Sequence, residues 1–237
     1  GKEVERMNRK FGARAEHMDD FDKLCEKAAD LLADGKILGW FQGRMEYGPR
    51  ALGNRSILAD PTRRDMQQKL NLSIKYRESF RPFAPSVLKE DALQYFELEG
   101  ESPYMLLTSQ VKASSKFSFD ESYYALDMKE RLQVTKSDLP AITHVDGSAR
   151  VQTVDGDRNP EYYQLLKAFK AKTGLGMLVN TSFNVRGEPI VCTPEDAFRC
   201  FMATEMDVLV IGNYLYLKTD QIEELSGRDW ERKYKKD

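Results

Sequence analysis

Residues 37–61 read ILGWFQGRMEYGPRALGNRSILADP. Ile37-Leu38-Gly39-Trp40-Phe41 is a short apolar run of the kind that forms a buried strand. SILAD, residues 56–60, is a second such run and stops at Pro61. Between them lies a loop, residues 42–55, with glycines at 43, 48 and 53 and arginines at 44, 50 and 55. A glycine-rich loop between strands can cradle phosphate, but this one is not a P-loop. Asn54-Arg55-Ser56 stands where that motif has Lys-Ser/Thr.

Outward from this stretch, helical and strand patterns alternate. Residues 18–34 have apolar Phe21, Leu24, Cys25, Ala28, Leu31 and Leu32 at helical spacing, acids at 19–20 and Gly35 as a stop. Pro61-Thr62 leads into a helix near 62–72. The two prolines of SFRPFAPSVLKE keep 79–84 extended before PSVL forms a strand and 89–96 a short helix. Residues 104–111 read as the clearest strand, and the polar stretch 112–140 as an irregular insertion. AITHVD (141–146) and ARVQTVD (149–155) read as a hairpin around Gly147. Residues 159–174 carry Asn at the N-cap, Pro next and Gly at the end, a fully punctuated helix. Then come a strand at 176–180, a helix at 193–204 opened by Thr-Pro, and strands at 206–212 and 213–218. This alternation predicts an α/β fold with a mixed, twisted sheet.

Composition narrows the function. The chain has 237 residues, 41% of them hydrophobic and 11% aromatic, which suits a soluble globular protein. No apolar run approaches the roughly 20 residues of a membrane helix. The N-terminal residues lack the apolar core of a secretory signal, and an initial Gly suggests a piece of something longer. Cys25, Cys192 and Cys200 form no CxxC pair, so reduced, buried thiols in a cytoplasmic protein are expected. Two histidines, His17 and His144, leave little material for a His-rich metal site. Net charge is −2, yet residues 44–81 hold nine Arg and Lys against four acids, a local +5. Such a cluster within an acidic chain points to a bound anion.

Four polar segments carry the candidate chemistry. In GRMEYGPRALGNRS the glycines allow close approach of a ligand, and arginine forks match phosphate or carboxylate oxygens. Arg50 and Arg55 are the candidates here, and Arg44 is left open. A tight turn with an arginine paired to a nearby acid is the other reading. In KYRESFRPFAP, Lys75, Arg77 and Arg81 can point to one side of an extended chain, with Glu78 as a possible partner. In THVDGSARVQTV, Arg150 and Gln152 share a strand face, and His144 and Asp146 alternate together. In NTSFNVRGEP, Ser182 and Asn184 supply hydroxyl and amide groups to a loop closed by Gly187 and Pro189. No carboxylate pair and no GxGxxG motif stands out. The set suits catalysis by charge neutralisation, as in phosphoryl or nucleotidyl transfer.

In this order, GRMEYGPRALGNRSILADP, KYRESFRPFAPSV, THVDGSARVQTV and NTSFNVRGEPI resemble the C-terminal region of O-carbamoyltransferases of the NodU/CmcH type, over about residues 36–215. NTSFNVRGEPI also resembles the Ser-x-Asn loop of YrdC-like domains, although Arg186 stands where those domains favour a small residue. The resemblance implies a YrdC-like twisted mixed β-sheet flanked by helices. It implies a junction segment at 1–35 to a Kae1-like domain of the same polypeptide, a YrdC-like domain at 36–220 and a charged tail at 221–237. It further implies that the domain takes ATP, with Mg²⁺, and carbamoyl phosphate to carbamoyl adenylate for transfer to a hydroxyl, a further metal belonging only to the Kae1-like domain. On the family's pattern Lys75, Arg81, Arg150 and Ser182 would hold carbamoyl phosphate and stabilise charge. Arg50, Arg55 and Asn184 would contact the nucleotide. Roles for Arg44, Arg77, His144 and Arg186 stay open. So does a non-catalytic nucleotide- or RNA-binding module on the same scaffold.

Overall fold

The computed structural model describes residues 1–78, 80–112, 120–134 and 137–221. The expected charged tail, 221–237, lies outside them apart from Gln221, as do 113–119, 135–136 and Ser79. The strands are β1 (Glu16–His17), β2 (Leu38–Phe41), β3 (Arg55–Ala59), β4 (Ala84–Leu88), β5 (Leu107–Gln110), β6 (Ser148–Val154), β7 (Met177–Ser182), β8 (Val208–Ile211) and β9 (Tyr214–Leu217). They form one sheet in the order β1-β9-β8-β2-β3-β7-β4-β6-β5. Its β2–β8 and β4–β6 pairs are parallel and the others antiparallel, so the sheet is mixed.

The helices are α1 (Lys2–Phe11), α2 (Phe21–Ala33), α3 (Met66–Ser73), α4 (Ala92–Tyr95), α5 (Glu121–Ala125), α6 (Met128–Gln133), α7 (Pro160–Thr173) and α8 (Pro194–Ala203). The α1 helix has no counterpart in the sequence reading and α2 begins three residues later than expected, whereas α7 and α8 begin at their expected caps. Asp20 accepts from the amides of Asp22 and Lys23 to cap α2. Asn159 caps α7 ahead of Pro160, and Gly174 ends it at φ 80°, a left-handed turn cheap only for glycine. Thr193 and Asp196 exchange bonds in a capping box at α8. Both β3 and β4 are buried along their whole length, as strands covered on both faces must be. The α2–α7 pair packs together, and α1 packs on α8. The α1 helix, β1 and α2 thereby tie residues 1–35 into the same body as the rest. No helix among the described residues is long and apolar enough to cross a membrane.

Several expectations change. Residues 141–146 are not a strand. Asp146 Oδ1 accepts from Ser148 N at 3.0 Å and Ser148 Oγ at 2.7 Å, which bends the chain, and β6 pairs with β5 instead. Residues 62–65 stay outside α3, because Asp60 Oδ1 takes both the amide (2.9 Å) and the hydroxyl (2.7 Å) of Thr62. The predicted strand 104–111 is confined to Leu107–Gln110. Within the expected insertion, α5 and α6 form behind the N-caps Asp120 and Asp127. Cys25 and Cys200 are buried as expected, but Cys192 is exposed, next to the cap of α8.

Candidate anion-binding site

Strand pairing places the site. Asn180 of β7 donates from Nδ2 to Gln152 Oε1 of β6 at 3.0 Å, so both side chains project from one sheet face. Side chains two residues apart on a strand share a face. Ser182 therefore projects with Asn180, and Arg150 with Gln152. Only β4 separates β7 from β6, which sets those strands two spacings apart, about 10 Å.

Lys75, Arg77, Arg81 and Arg186 line one cavity of about 250 Å³ with Thr181, Ser182 and Asn184. The chain reaches it by turning rather than by running extended. Tyr76 takes φ 45°, a left-handed conformation that costs a side-chain-bearing residue about 1 kcal/mol or more. The Arg77 amide bonds back to Asn71 O at 3.1 Å, and the Arg81 amide to Glu78 O at 3.4 Å. The backbone between α3 and β4 thus folds the three cations around one space.

Lys75 is buried, and its Nζ faces Ser182 O (2.5 Å), Ser182 Oγ (3.3 Å), Asn184 O (2.9 Å) and Asn184 Oδ1 (2.9 Å). Burial pushes its ammonium down to about 7, the Cys200 thiol opposing this and Arg77 adding to it. Ser182 Oγ donates to Asn184 Oδ1 at 2.7 Å, and Asn184 Nδ2 to Glu188 O at 2.7 Å. The ammonium therefore fixes the shape of the Ser182–Asn184 loop as well as lending its charge. Arg77 is half-buried, donating from Nε to Asn71 Oδ1 at 2.7 Å with its guanidinium 4.9 Å from the Phe83 ring centre. Arg81 is exposed and pairs with Glu78 at 3.4 Å. Glu78, held below the usual carboxylate range by its own backbone and by Arg81, is the one acid among the described residues lining the cavity, against four cations.

The arginines of the glycine loop divide. Arg50 stands near Arg150, and burial together with Arg50 makes the charge on Arg150 harder to hold. Arg150 Nε is buried with no hydrogen-bond partner among the described residues. Arg55 is turned into the loop itself. Its guanidinium donates to Gln42 O (2.7 Å), Asn54 O (2.9 Å) and Gly43 O (3.1 Å), and lies 3.5 Å over the Phe41 ring. Of the expected residues, the cavity gathers Lys75, Arg81, Ser182 and Asn184. Arg50 and Arg150 lie outside it, with the charge of Arg50 felt at Arg150, and Arg55 is held by the carbonyls of its own loop. Arg77 and Arg186, left open from sequence, join the cavity. The signal for Arg77 was its place two residues from Lys75. His144 and Asp146 both bond Ser148 in the turn before β6.

The carbamoyltransferase C-terminus family model matches residues 29–218. The chain belongs to that family. Nodulation protein NolNO of Sinorhizobium fredii is 44% identical over 89% of this chain. The 3'-hydroxymethylcephem-O-carbamoyltransferase of Amycolatopsis lactamdurans is 38% identical over 82% of it. Protein sll1178 of Synechocystis sp. is 56% identical over 91% of it. This carbamoyltransferase C-terminal chain covers 28%, 33% and 35% of those three relatives, about a third of their length. A solved full-length HypF, in phosphate- and nucleotide-bound form, overlaps 84% of this chain and 22% of its own, at TM-score 0.49 and 15% identity.

Proposed function

We propose that this chain is the carbamoyl-adenylate-forming part of an ATP-dependent O-carbamoyltransferase. The reading is carried by one observation: among the described residues, four cations countered by a single acid line one cavity with Ser182 and Asn184. Cations left together repel one another, and phosphate oxygens are the ligands that relieve this best. In the proposed reaction water cleaves carbamoyl phosphate to carbamate and phosphate. A carbamate oxygen then attacks the α-phosphorus of ATP, and the bond to the β-phosphate oxygen breaks. Pyrophosphate leaves, and carbamoyl adenylate remains for a hydroxyl acceptor.

Arg77, Arg81 and Arg186 offer fixed positive charge where negative charge builds up at phosphorus. Stabilisation of that kind is the largest single term in such reactions. Ser182 and Asn184 supply a hydroxyl and an amide beside it, and Lys75 keeps them in place. Arg50 and Arg150, on the adjoining part of the same face, extend the basic surface along a second anionic group. Mg²⁺ would enter with the triphosphate, and a further metal would belong to the rest of a longer polypeptide. The family's Kae1-like domain would carry out the transfer.

Crystals soaked with a non-hydrolysable ATP analogue, Mg²⁺ and carbamoyl phosphate test the assignment. Phosphate density within hydrogen-bond reach of Arg77, Arg81 and Ser182 supports it. Nucleotide density that avoids this cavity contradicts it.

A further inference from the structure

The loop between Arg44 and Arg55 is held more tightly than its role as a carrier of arginines requires. Glu46 Oε1 accepts from the backbone amides of Leu52 at 2.7 Å, Asn54 at 2.8 Å and Arg55 at 3.4 Å. One carboxylate oxygen thus closes residues 47–51 into a narrow-necked excursion. The carbonyls at its returning end are taken from below. Asn180 Nδ2 donates to Ala51 O at 3.1 Å, and Gln152 Nε2 to Leu52 O at 2.8 Å. Those two amides are joined to each other, and Ser86 Oγ binds both, at 2.5 Å to Gln152 and 2.9 Å to Asn180. Ser86, Asn180 and Gln152 are all at most 3% exposed.

This clamp has a direction. It grips Ala51 and Leu52, the residues that follow Arg50. It hangs from Gln152, two residues from Arg150 on β6. Arg50 is thereby tethered to the strand that carries Arg150. Two guanidinium groups repel, and a free loop would swing Arg50 into solvent. We propose that Glu46, Asn180 and Gln152 are positioning residues, which touch no ligand and hold the loop that carries Arg50 against the strand that carries Arg150, so that the two arginines meet a phosphate-bearing anion from a fixed backbone. The proposal deepens the reading of this face as an ATP site and rests on it.

A double-variant cycle on the full chain, read as the calorimetric Kd for ATP·Mg²⁺, tests it. Glu46→Ala is expected to weaken ATP by about tenfold or more, the scale of one charge-assisted contact. Glu46→Gln keeps the accepting oxygen and should recover most of that loss. In an Arg50→Ala background, Glu46→Ala should add nothing, because its effect passes through Arg50. A general loss of folding would add in both backgrounds, so additivity overturns the proposal, as does wild-type affinity in Glu46→Ala. Gln152→Met, similar in shape and lacking only the amide, enters the same cycle if Glu46→Ala does not fold. A wild type that binds no ATP defeats the reading of the site. The same cycle run with inorganic pyrophosphate then judges the clamp: coupling between positions 46 and 50 upholds it, and additivity overturns it.

Discussion

Lys75 holds a charge that its surroundings resist. Burial is the main cause, and it brings the ammonium down to about 7. An anion arriving beside it reverses the effect by favouring the protonated form. At pH 8 the free protein therefore carries Lys75 mostly neutral, and binding draws in a proton. ATP affinity is expected to be full below pH 7 and to weaken as pH rises from 7 towards the higher value of the bound state. Calorimetry of ATP binding in two buffers of different ionisation heat measures this directly. The expected outcome is proton uptake at pH 8 that disappears in Lys75→Met. Equal heats in both buffers would contradict it. Arg81 gives a simpler case, since it is exposed and its loss costs the fold little. Arg81→Ala should leave the melting temperature nearly unchanged and lower ATP-dependent pyrophosphate release on the order of a hundredfold.

At the scale of elements, the glycine loop shows how much of the site is backbone. Gly53 sits at φ 111°, and a Cβ there would meet the Tyr162 ring at 2.1 Å. Gly53→Ala is therefore expected to cost about 3 kcal/mol or more, from strain and overpacking together. For a domain of this size, that lowers the melting temperature by roughly 6–12 °C. Gly48, at φ 122° but with open space around it, should cost clearly less. A thermal melt of the two alanine variants checks the order. Elements whose ends are written in local chemistry were legible in the sequence: Asn159-Pro160 and Gly174 bound α7, and Thr193-Pro194 opens α8. The stretch 141–146 misled because its alternation suits a strand, whereas the Asp146–Ser148 bonds that bend it depend on local geometry. Lys75 and Arg81 stood out by their spacing with Arg77, and Ser182 and Asn184 as the hydroxyl and amide of a loop closed by Gly187 and Pro189. The work of Glu46 was hidden, since its partners are backbone amides that no residue letter reveals. Arg55 reads as a ligand arginine for the same reason, because the carbonyls that hold it are silent in sequence.

The whole molecule joins a net charge of −2 to a locally basic cavity. A bulk field of that sign does not gather polyanions in general, so the proposed selectivity for phosphate would rest on the cavity and on Arg50 and Arg150. As this chain spans about a third of its relatives' length, the choice of hydroxyl acceptor is proposed to lie with the remaining part of such a polypeptide. The chemistry proposed for this part yields a product that can be counted. Pyrophosphate release from ATP·Mg²⁺ by this chain, followed with and without carbamoyl phosphate, is the most direct test. The account predicts release that depends on carbamoyl phosphate and is lost in Arg81→Ala. Release that is absent, or that proceeds equally without carbamoyl phosphate, would contradict it.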